Sequence, residues 1–143
     1  MVAVTGAAAI VTGVPLSKYV IAPSLSKGAG KWIDLGEIGG LNAGKVQMVT
    51  YEFMVKDGWL VLPQKGFVWV KSDGDGKLTV FSSICTHLAC NVIWREEAHI
   101  FECPCHSARF NVERKPIAGP PTRPLTVLEH KIEEGKVKVL LTV

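Results

Sequence analysis

A chain of 143 residues is long enough to bury one hydrophobic core but hardly two, so we expect a single folded domain. Its 16 basic and 13 acidic residues leave a net charge of +3 and are spread along the sequence. Because a nucleic-acid surface clusters its Lys and Arg among aromatic residues, we expect no nucleic-acid partner. Apolar residues make up 48% of the chain, and the excess lies at the N-terminus.

The first predicted element is an N-terminal helix over residues 1–22, which we interpret as a transmembrane anchor. Residues 1–17 carry no charged side chain, and a helix continued to Ala22 is long enough to cross a hydrocarbon core of about 30 Å. Lys18 can extend towards the membrane surface, and Pro23 would close the helix. A buried core helix and a signal peptide are the alternatives, and the lack of basic residues before the apolar run weakens the latter.

Residues 23–31, PSLSKGAGK, have the composition of a flexible linker, and the folded domain is predicted over residues 32–143. The signals in this region are those of β-strands, with no helical period sustained over ten residues. Turns are predicted at DGW, PQKG and DGDG, and a closing hairpin at EEG. The strands in chain order are KWIDLGEI, KVQMVTYEFMV, FVWVK, KLTVFSSI, HIFEC, PLTVLEHKI and KVKVLLTV. We therefore expect a small, mostly β, antiparallel sandwich or partial barrel.

All four cysteines of the chain lie in two short segments, CTHLAC at 85–90 and CPCHSARF at 103–110. Cys85 and His87 are two residues apart, so their side chains point the same way in an extended backbone, whereas Cys103 and His106 flank a tight turn. Each loop therefore offers one thiolate and one imidazole. A structural zinc site usually spaces its ligands differently. A set of disulfide cysteines with idle histidines is the other alternative.

The two segments together resemble the signature of the Rieske iron–sulfur proteins of cytochrome bc-type and bf-type complexes, over the chain from about Trp32 onwards. The resemblance implies one 2Fe-2S cluster, with Cys85 and Cys103 on the buried iron. It places His87 and His106 on the outer iron. It also implies a disulfide between the two remaining cysteines, Cys90 and Cys105.

The implied disulfide bears on the cellular location. Disulfides persist in oxidising compartments, so we expect the cluster domain on the outer, periplasmic or extracytoplasmic side of the membrane. The basic residues near the apolar segment, Lys18, Lys27 and Lys31, would by the positive-inside rule favour the cytoplasmic side. We give the disulfide more weight than this weak charge bias.

Two further features match the family. In AGPPTRPL, the residues Gly119, Pro120, Pro121 and Pro124 resemble the proline loop that covers the cluster as a stiff lid; the alternative is an ordinary proline-rich turn. Leu88 would lie at the exposed tip of the cluster loops, where it could dock against a quinol pocket. The alternative for Leu88 is a core leucine.

The resemblance implies an electron-transfer subunit of a quinol:cytochrome c oxidoreductase, in which His87 or His106 accepts the hydrogen bond and the proton of the quinol. The expected partners are quinol, a b-type cytochrome subunit, a c-type cytochrome and membrane lipid. Two alternatives have similar cluster loops: the small subunit of arsenite oxidase, and a soluble Rieske ferredoxin of a dioxygenase. The proline loop and the anchor favour quinol oxidation, and Cys90 and Cys105 argue against a ferredoxin.

The segment after the second loop departs from the family pattern C-P-C-H-G-S-x-Y. It reads Ser107, Ala108, Arg109 and Phe110, so the Ser and Tyr hydroxyls that donate to cluster or ligand sulfurs are missing unless Ser107 supplies one bond. Hydrogen bonds to sulfur stabilise the reduced cluster, so their loss lowers the potential. We therefore predict menaquinol, a low-potential donor, as the substrate.

Overall fold

The computed structural model describes residues 11–21, 30–38, 44–57 and 59–142, without the side chain of Asp57. Residues 11–21 form a helix, α1, and residues Lys31–Leu141 form a compact unit of their own. No helix within these ranges is both long and apolar enough to cross a membrane. The predicted anchor also includes residues 1–10 and 22, and the predicted linker includes residues 23–29, which all lie outside the described residues.

The compact unit is built from antiparallel strands, as the sequence predicts, and no helix occurs in its described part. Two three-stranded sheets have the orders β1-β10-β9 and β2-β3-β4, and a four-stranded sheet has the order β5-β6-β7-β8. The strands are β1 (Gly30–Glu37), β2 (Val46–Asp57), β3 (Leu60–Gly74), β4 (Lys77–Ser82), β5 (Ile93–Arg95), β6 (Ile100–Cys103), β7 (Ala108–Asn111), β8 (Pro116–Ala118), β9 (His130–Glu133) and β10 (Lys136–Thr142).

The sheet of β2, β3 and β4 contributes to two separate cores, because successive strand residues point to opposite faces. Val68 and Val70 of β3 pack with β1 and β10 residues in one core, while Trp69 between them belongs to the other. That second core also holds Phe101 and Phe110 of the four-stranded sheet. The four-stranded sheet, which carries one of the cysteine loops, is therefore packed directly against β3.

The predicted turn at PQKG is wrong, because β3 runs through it from Leu60 and pairs with β2 over its whole outer length. Two features make an extended backbone possible there. Residues of β3 before Val68 pair with β2 but not with β4. Pro63 therefore lies at a sheet edge, where its missing N–H costs no hydrogen bond to β4. Gly66 lies under the ring of its cross-strand partner Tyr51, where an added Cβ would be 2.5 Å from the hydroxyl oxygen.

The predicted closing hairpin is present, although its first strand is shorter than the sequence suggests. Of the segment 124–132, only the end from His130 belongs to β9, and Val127 forms an isolated bridge with Phe81. The turn to β10 consists of Glu134 and Gly135, whose φ angles are 52° and 76°. Two positive φ angles in a two-residue loop match the twist of antiparallel strands, and so the turn fixes their register.

Candidate metal centre

The first cysteine loop, residues 85–90, is closed at its neck by backbone hydrogen bonds. The N–H of Cys85 donates to the carbonyl of Cys90 at 2.7 Å, and the N–H of Val92 donates to the carbonyl of Ser83 at 2.7 Å. The buried Ser83 hydroxyl also donates to the carbonyl of Phe67 in β3 at 2.8 Å. The loop therefore projects from a neck that is fixed to the central sheet.

The second loop, residues 104–107, is the connection of the β6–β7 hairpin, and the pair Cys103 and Ala108 closes it. Ser107 has a φ of 53°, in the left-handed region that glycine adopts most readily. The four-residue turn places Cys103 at a buried position at the end of β6 and His106 in the exposed turn. The strand pairing thus buries the Cys103 thiol and leaves the His106 imidazole at the surface.

The structure brings the four predicted ligands into two layers. Cys85 and Cys103 are free and buried, with 3% and 1% of their surface exposed. His87 and His106 are exposed, and their ring centroids lie 4.8 Å apart with the rings nearly perpendicular. Two buried thiols and two exposed, neighbouring imidazoles form a mixed donor set of the kind that binds a metal.

Cys90 and Cys105 form a disulfide that links the two loops, as the resemblance implies. The sulfur atoms of Cys90, Cys103 and Cys105 all lie within 4.8 Å of one another. Because a disulfide sulfur cannot act as a thiolate, only Cys103 among these three remains available as a ligand. The disulfide therefore brings the loops together without competing for the metal.

The surroundings of Cys85 favour its neutral form. Burial raises the pKa of its thiol, the neighbouring Cys103 thiol raises it further, and the backbone N–H of His87 acts in the opposite direction. A bound cation supplies the positive charge that stabilises both thiolates, which is the chemistry expected of a metal site.

The predicted lid, residues 119–124, contacts both loops. Gly119 has a φ of 89°, and a Cβ added to it would lie 2.6 Å from the Cα of Ala108 at the end of the second loop. The Thr86 hydroxyl in the first loop donates to the carbonyl of Arg123 at 2.8 Å. Pro121 is buried, whereas Pro120 and Pro124 are exposed. The segment is thus held against both loops.

Leu88 lies beside His87 with 64% of its surface exposed, so it is not a core residue. His99 is exposed in the turn between β5 and β6, and His130 is half-buried in β9 with its ring nitrogens near the carbonyls of Leu78 and Leu128. His99 precedes β6 at the opposite end of that strand from Cys103, and His130 contacts carbonyls outside both loops. The exposed imidazoles of the site are therefore those of the two loops.

Comparison with known proteins decides the family. The family model of the Rieske 2Fe-2S domain matches residues 31–129, which include both loops and the proline loop. The chain belongs to the Rieske family. The iron–sulfur subunit of the menaquinol:cytochrome c reductase of Geobacillus thermodenitrificans is 28% identical over 129 residues, covering 86% of this chain and 75% of that protein.

Two other Rieske proteins show how much of the chain is shared. The cytochrome b6-f iron–sulfur subunit of Chlorobaculum tepidum is 48% identical over 64 residues, which cover 45% of this chain and only 35% of that subunit. The crystal structure of the plasma membrane Rieske protein of the cyanobacterium Synechocystis is 27% identical with a TM-score of 0.50, covering 75% of this chain and 97% of that protein. The compact unit accordingly has the Rieske fold.

The described residues fit a Rieske cluster, since the two buried thiols and the two exposed imidazoles give the two iron atoms different surroundings. Ala108 and Phe110, which replace the Ser and Tyr of the family pattern, are fully buried and face the interior. Ser107 is exposed. The contact of Thr86 with the proline loop was not predicted, because its partner Arg123 lies 37 residues further along the chain.

Proposed function

We propose that this chain is the Rieske subunit of a quinol-oxidising bc-type or bf-type complex, which takes an electron from menaquinol and passes it to a c-type cytochrome. The observation that carries the proposal is the layered site, in which exposed His87 and His106 lie beside exposed Leu88 above two buried thiols. The buried layer keeps water from the sulfurs. The exposed layer is open to a quinol and then to an acceptor.

In this proposal Cys85 and Cys103 ligate one iron, and His87 and His106 ligate the other. The bound cluster supplies a centre that gains and loses one electron. The ring nitrogen of His87 or His106 that is not a ligand accepts the hydrogen bond of the quinol hydroxyl and then its proton. Leu88 offers an apolar contact to the quinol pocket, and the proline loop limits access of water to the sulfurs.

Menaquinol is supported by two independent observations. The Geobacillus relative is named as a subunit of a menaquinol:cytochrome c reductase. In this chain, Ala108 and Phe110 are buried where the resemblance places hydroxyl donors, so a low-potential cluster is expected. A low-potential acceptor matches a low-potential quinol.

The proposed location is the outer face of a membrane, with residues 1–22 as the anchor, 23–31 as the linker and 32–143 as the cluster domain. The disulfide between Cys90 and Cys105 supports an oxidising compartment. A b-type cytochrome subunit in the same membrane would form the quinol site with the exposed loops. The linker would allow the domain to move between quinol and cytochrome.

Histidine substitutions in the full chain test the ligand set. His87→Ala and His106→Ala should each abolish the EPR signal of a reduced mixed His/Cys cluster, because each removes one ligand of the outer iron. His99→Ala is the matched control, since it removes an exposed imidazole from a turn outside the loops. Retention of the signal in either loop variant would contradict the assignment.

Donor specificity separates quinol oxidation from the arsenite oxidase alternative. In membranes containing the assembled complex, a menaquinol analogue should reduce the cluster and then a c-type cytochrome, whereas arsenite should reduce neither. Reduction by arsenite, or co-purification with a molybdenum subunit in place of a b-type cytochrome, would contradict the proposed function.

A further inference from the structure

The β2–β3 hairpin extends well beyond the sheet to which it belongs. The outermost described pair of β3 with β4 is Val68 with Ser82, and β3 continues outward from there to Leu60, paired with β2 alone. At about 3.4 Å per residue this extension is about 25 Å long. It leaves the sheet at the end from which β4 leads into the first cysteine loop.

Side-chain contacts support the extension. Tyr51 covers Gly66 and stacks on Phe53 with their ring centroids 5.9 Å apart. Lys31, the first residue of the compact unit, lies over the Phe53 ring at 5.2 Å and donates from Nζ to the carbonyl of Met54 at 3.2 Å. The hairpin is therefore supported at the point where the chain enters the folded unit.

The outer part of the hairpin, which we call the hairpin end (residues 54–57 and 59–63), is rich in exposed apolar side chains. Trp59 has 91% of its surface exposed, and Leu60, Val61 and Leu62 follow it directly with about half of theirs exposed. Consecutive strand residues alternate between faces, so Leu60 and Leu62 lie on one face of the ribbon and Val61 on the other. Cross-strand partners share a face, so Val55 and Asp57 lie with Leu62 and Leu60, and Met54 and Lys56 lie with Pro63 and Val61. Each face of the hairpin end thus carries several apolar side chains and one charged residue.

A ribbon with exposed apolar side chains on both faces fits lipid better than a protein surface. A folded partner would cover one face and leave the other in water, whereas the headgroup and acyl boundary of a bilayer surrounds an inserted hairpin. Pairing of two copies along the outer edge of β3 is disfavoured because Pro63 has no N–H to donate. Tryptophan is the residue most typical of the membrane interface, which suits Trp59 at the tip.

We propose that the hairpin end inserts into the headgroup region of the membrane that carries the proposed anchor. The proposal rests on that anchor, because the chain must already be held at a bilayer. It is supported by Lys31, where the chain from the N-terminal segment enters the unit beside Met54. Insertion would give the domain a second membrane contact besides the proposed anchor.

The charges beside the hairpin end indicate which lipids matter. The basic and acidic side chains are nearly balanced, and Lys65 is paired with Glu52 at 3.1 Å. Insertion should therefore depend on apolar burial more than on anionic lipid, and it should persist at high salt. The charged residues of this region are Lys31, Glu52, Lys56, Asp57 and Lys65.

Quenching of Trp59 fluorescence by brominated phosphatidylcholine tests the insertion. The full chain is reconstituted into vesicles, and the Trp59 contribution is the difference between the wild type and Trp59→Phe. We expect that contribution to be quenched, with and without phosphatidylglycerol and in high salt. In Trp94→Phe the quenching should be unchanged, because Trp94 is half-buried in the four-stranded sheet.

Serine substitutions provide a second readout that does not change the fluorophore. Leu60→Ser combined with Leu62→Ser should cause loss of Trp59 quenching, because it removes two apolar side chains from one face of the hairpin end. Ile132→Ser is the matched control, since Ile132 in β9 is exposed to a similar extent, 52%. Equal quenching in the double variant and the control would overturn the proposal.

Flotation of the same vesicles separates failure of the insertion from failure of the anchor. A chain that floats with the vesicles but shows no Trp59 quenching overturns the insertion and leaves the anchor in place. A chain that does not float overturns both, while its EPR signal still reports on the cluster independently. Shielding of Trp59 only in the assembled complex, or concentration-dependent dimers abolished by Trp59→Ser, would instead assign the surface to a protein partner or a second copy.

Discussion

Replacement of Gly119 by Ala perturbs the contact between the proline loop and the second cysteine loop. Gly119 has a φ of 89°, and its added methyl group would lie 2.6 Å from the Cα and 3.1 Å from the N of Ala108. Backbone atoms cannot rotate away as a flexible side chain can. The substitution must therefore either strain the folded state or lift the proline loop from the second loop.

The expected cost has two parts. A non-glycine residue in the left-handed region costs about 1–2 kcal/mol, and forcing a methyl group into a closed contact costs about 1–3 kcal/mol more. Gly119→Ala should thus lower the free energy of unfolding by about 2–5 kcal/mol. Gly135→Ala is the matched control, because Gly135 has a φ of 76° but nothing within 4 Å of an added Cβ.

Urea unfolding of the full chain, monitored by tryptophan fluorescence, measures the decrease in the free energy of unfolding for both variants. The visible circular dichroism of the cluster reports whether the proline loop has moved, since its displacement would expose the sulfurs and shorten the lifetime of the cluster. The difference between the two variants isolates the contact with Ala108. If both variants lose the same stability and keep the same cluster lifetime, the proline loop does not rest on the second loop.

Two other predictions concern potential and pH. Ala108→Ser and Phe110→Tyr should each raise the midpoint potential of the cluster, and together should raise it further, because each can add a hydroxyl donor to sulfur. Potentiometric titration followed by EPR measures this, and the absence of an upward shift would refute the menaquinol inference. The ammonium groups of Lys131 and Lys138 lower the pKa of Glu133 to about 2 from its usual 4.5, so the stability contributed by these pairs is present above about pH 4.5 and is lost as the pH falls towards 2. Glu133→Gln should flatten the pH dependence of unfolding in that window, and an unchanged slope would contradict the ion pairs.

The sequence predicts those parts of the fold in which the signal is local. Strands β1, β2, β4 and β10 follow runs of β-forming residues, and the Glu134–Gly135 turn follows a short hairpin motif. The strands β5, β7 and β8 have only three or four residues, too few to show a period, and were missed. The turn predicted at PQKG failed because Tyr51 covers Gly66 from the neighbouring strand, a contact that the local sequence does not reveal.

In the candidate site, too, the local sequence predicts some features and the packing of distant segments determines the others. The two short motifs indicate the donor residues, since metal-binding side chains at a fixed spacing carry chemical information. The depth of each donor depends on packing: Cys103 is buried because it ends β6, while His106 is exposed in the turn. The contacts of Thr86 with Arg123 and of Gly119 with Ala108 join segments far apart in the chain, so the motifs alone do not predict them.

The close grouping of three sulfur atoms has a consequence for the maturation of the protein. Cys103 keeps a free thiol within 4.8 Å of the sulfurs of Cys90 and Cys105. A thiolate near a disulfide can attack it, which exchanges the partners and would consume the Cys103 thiol in a wrong pairing. With the proposed ligand set, iron bound by Cys103 would block this exchange, so we expect correct pairing to depend on whether iron is inserted before the thiols are oxidised.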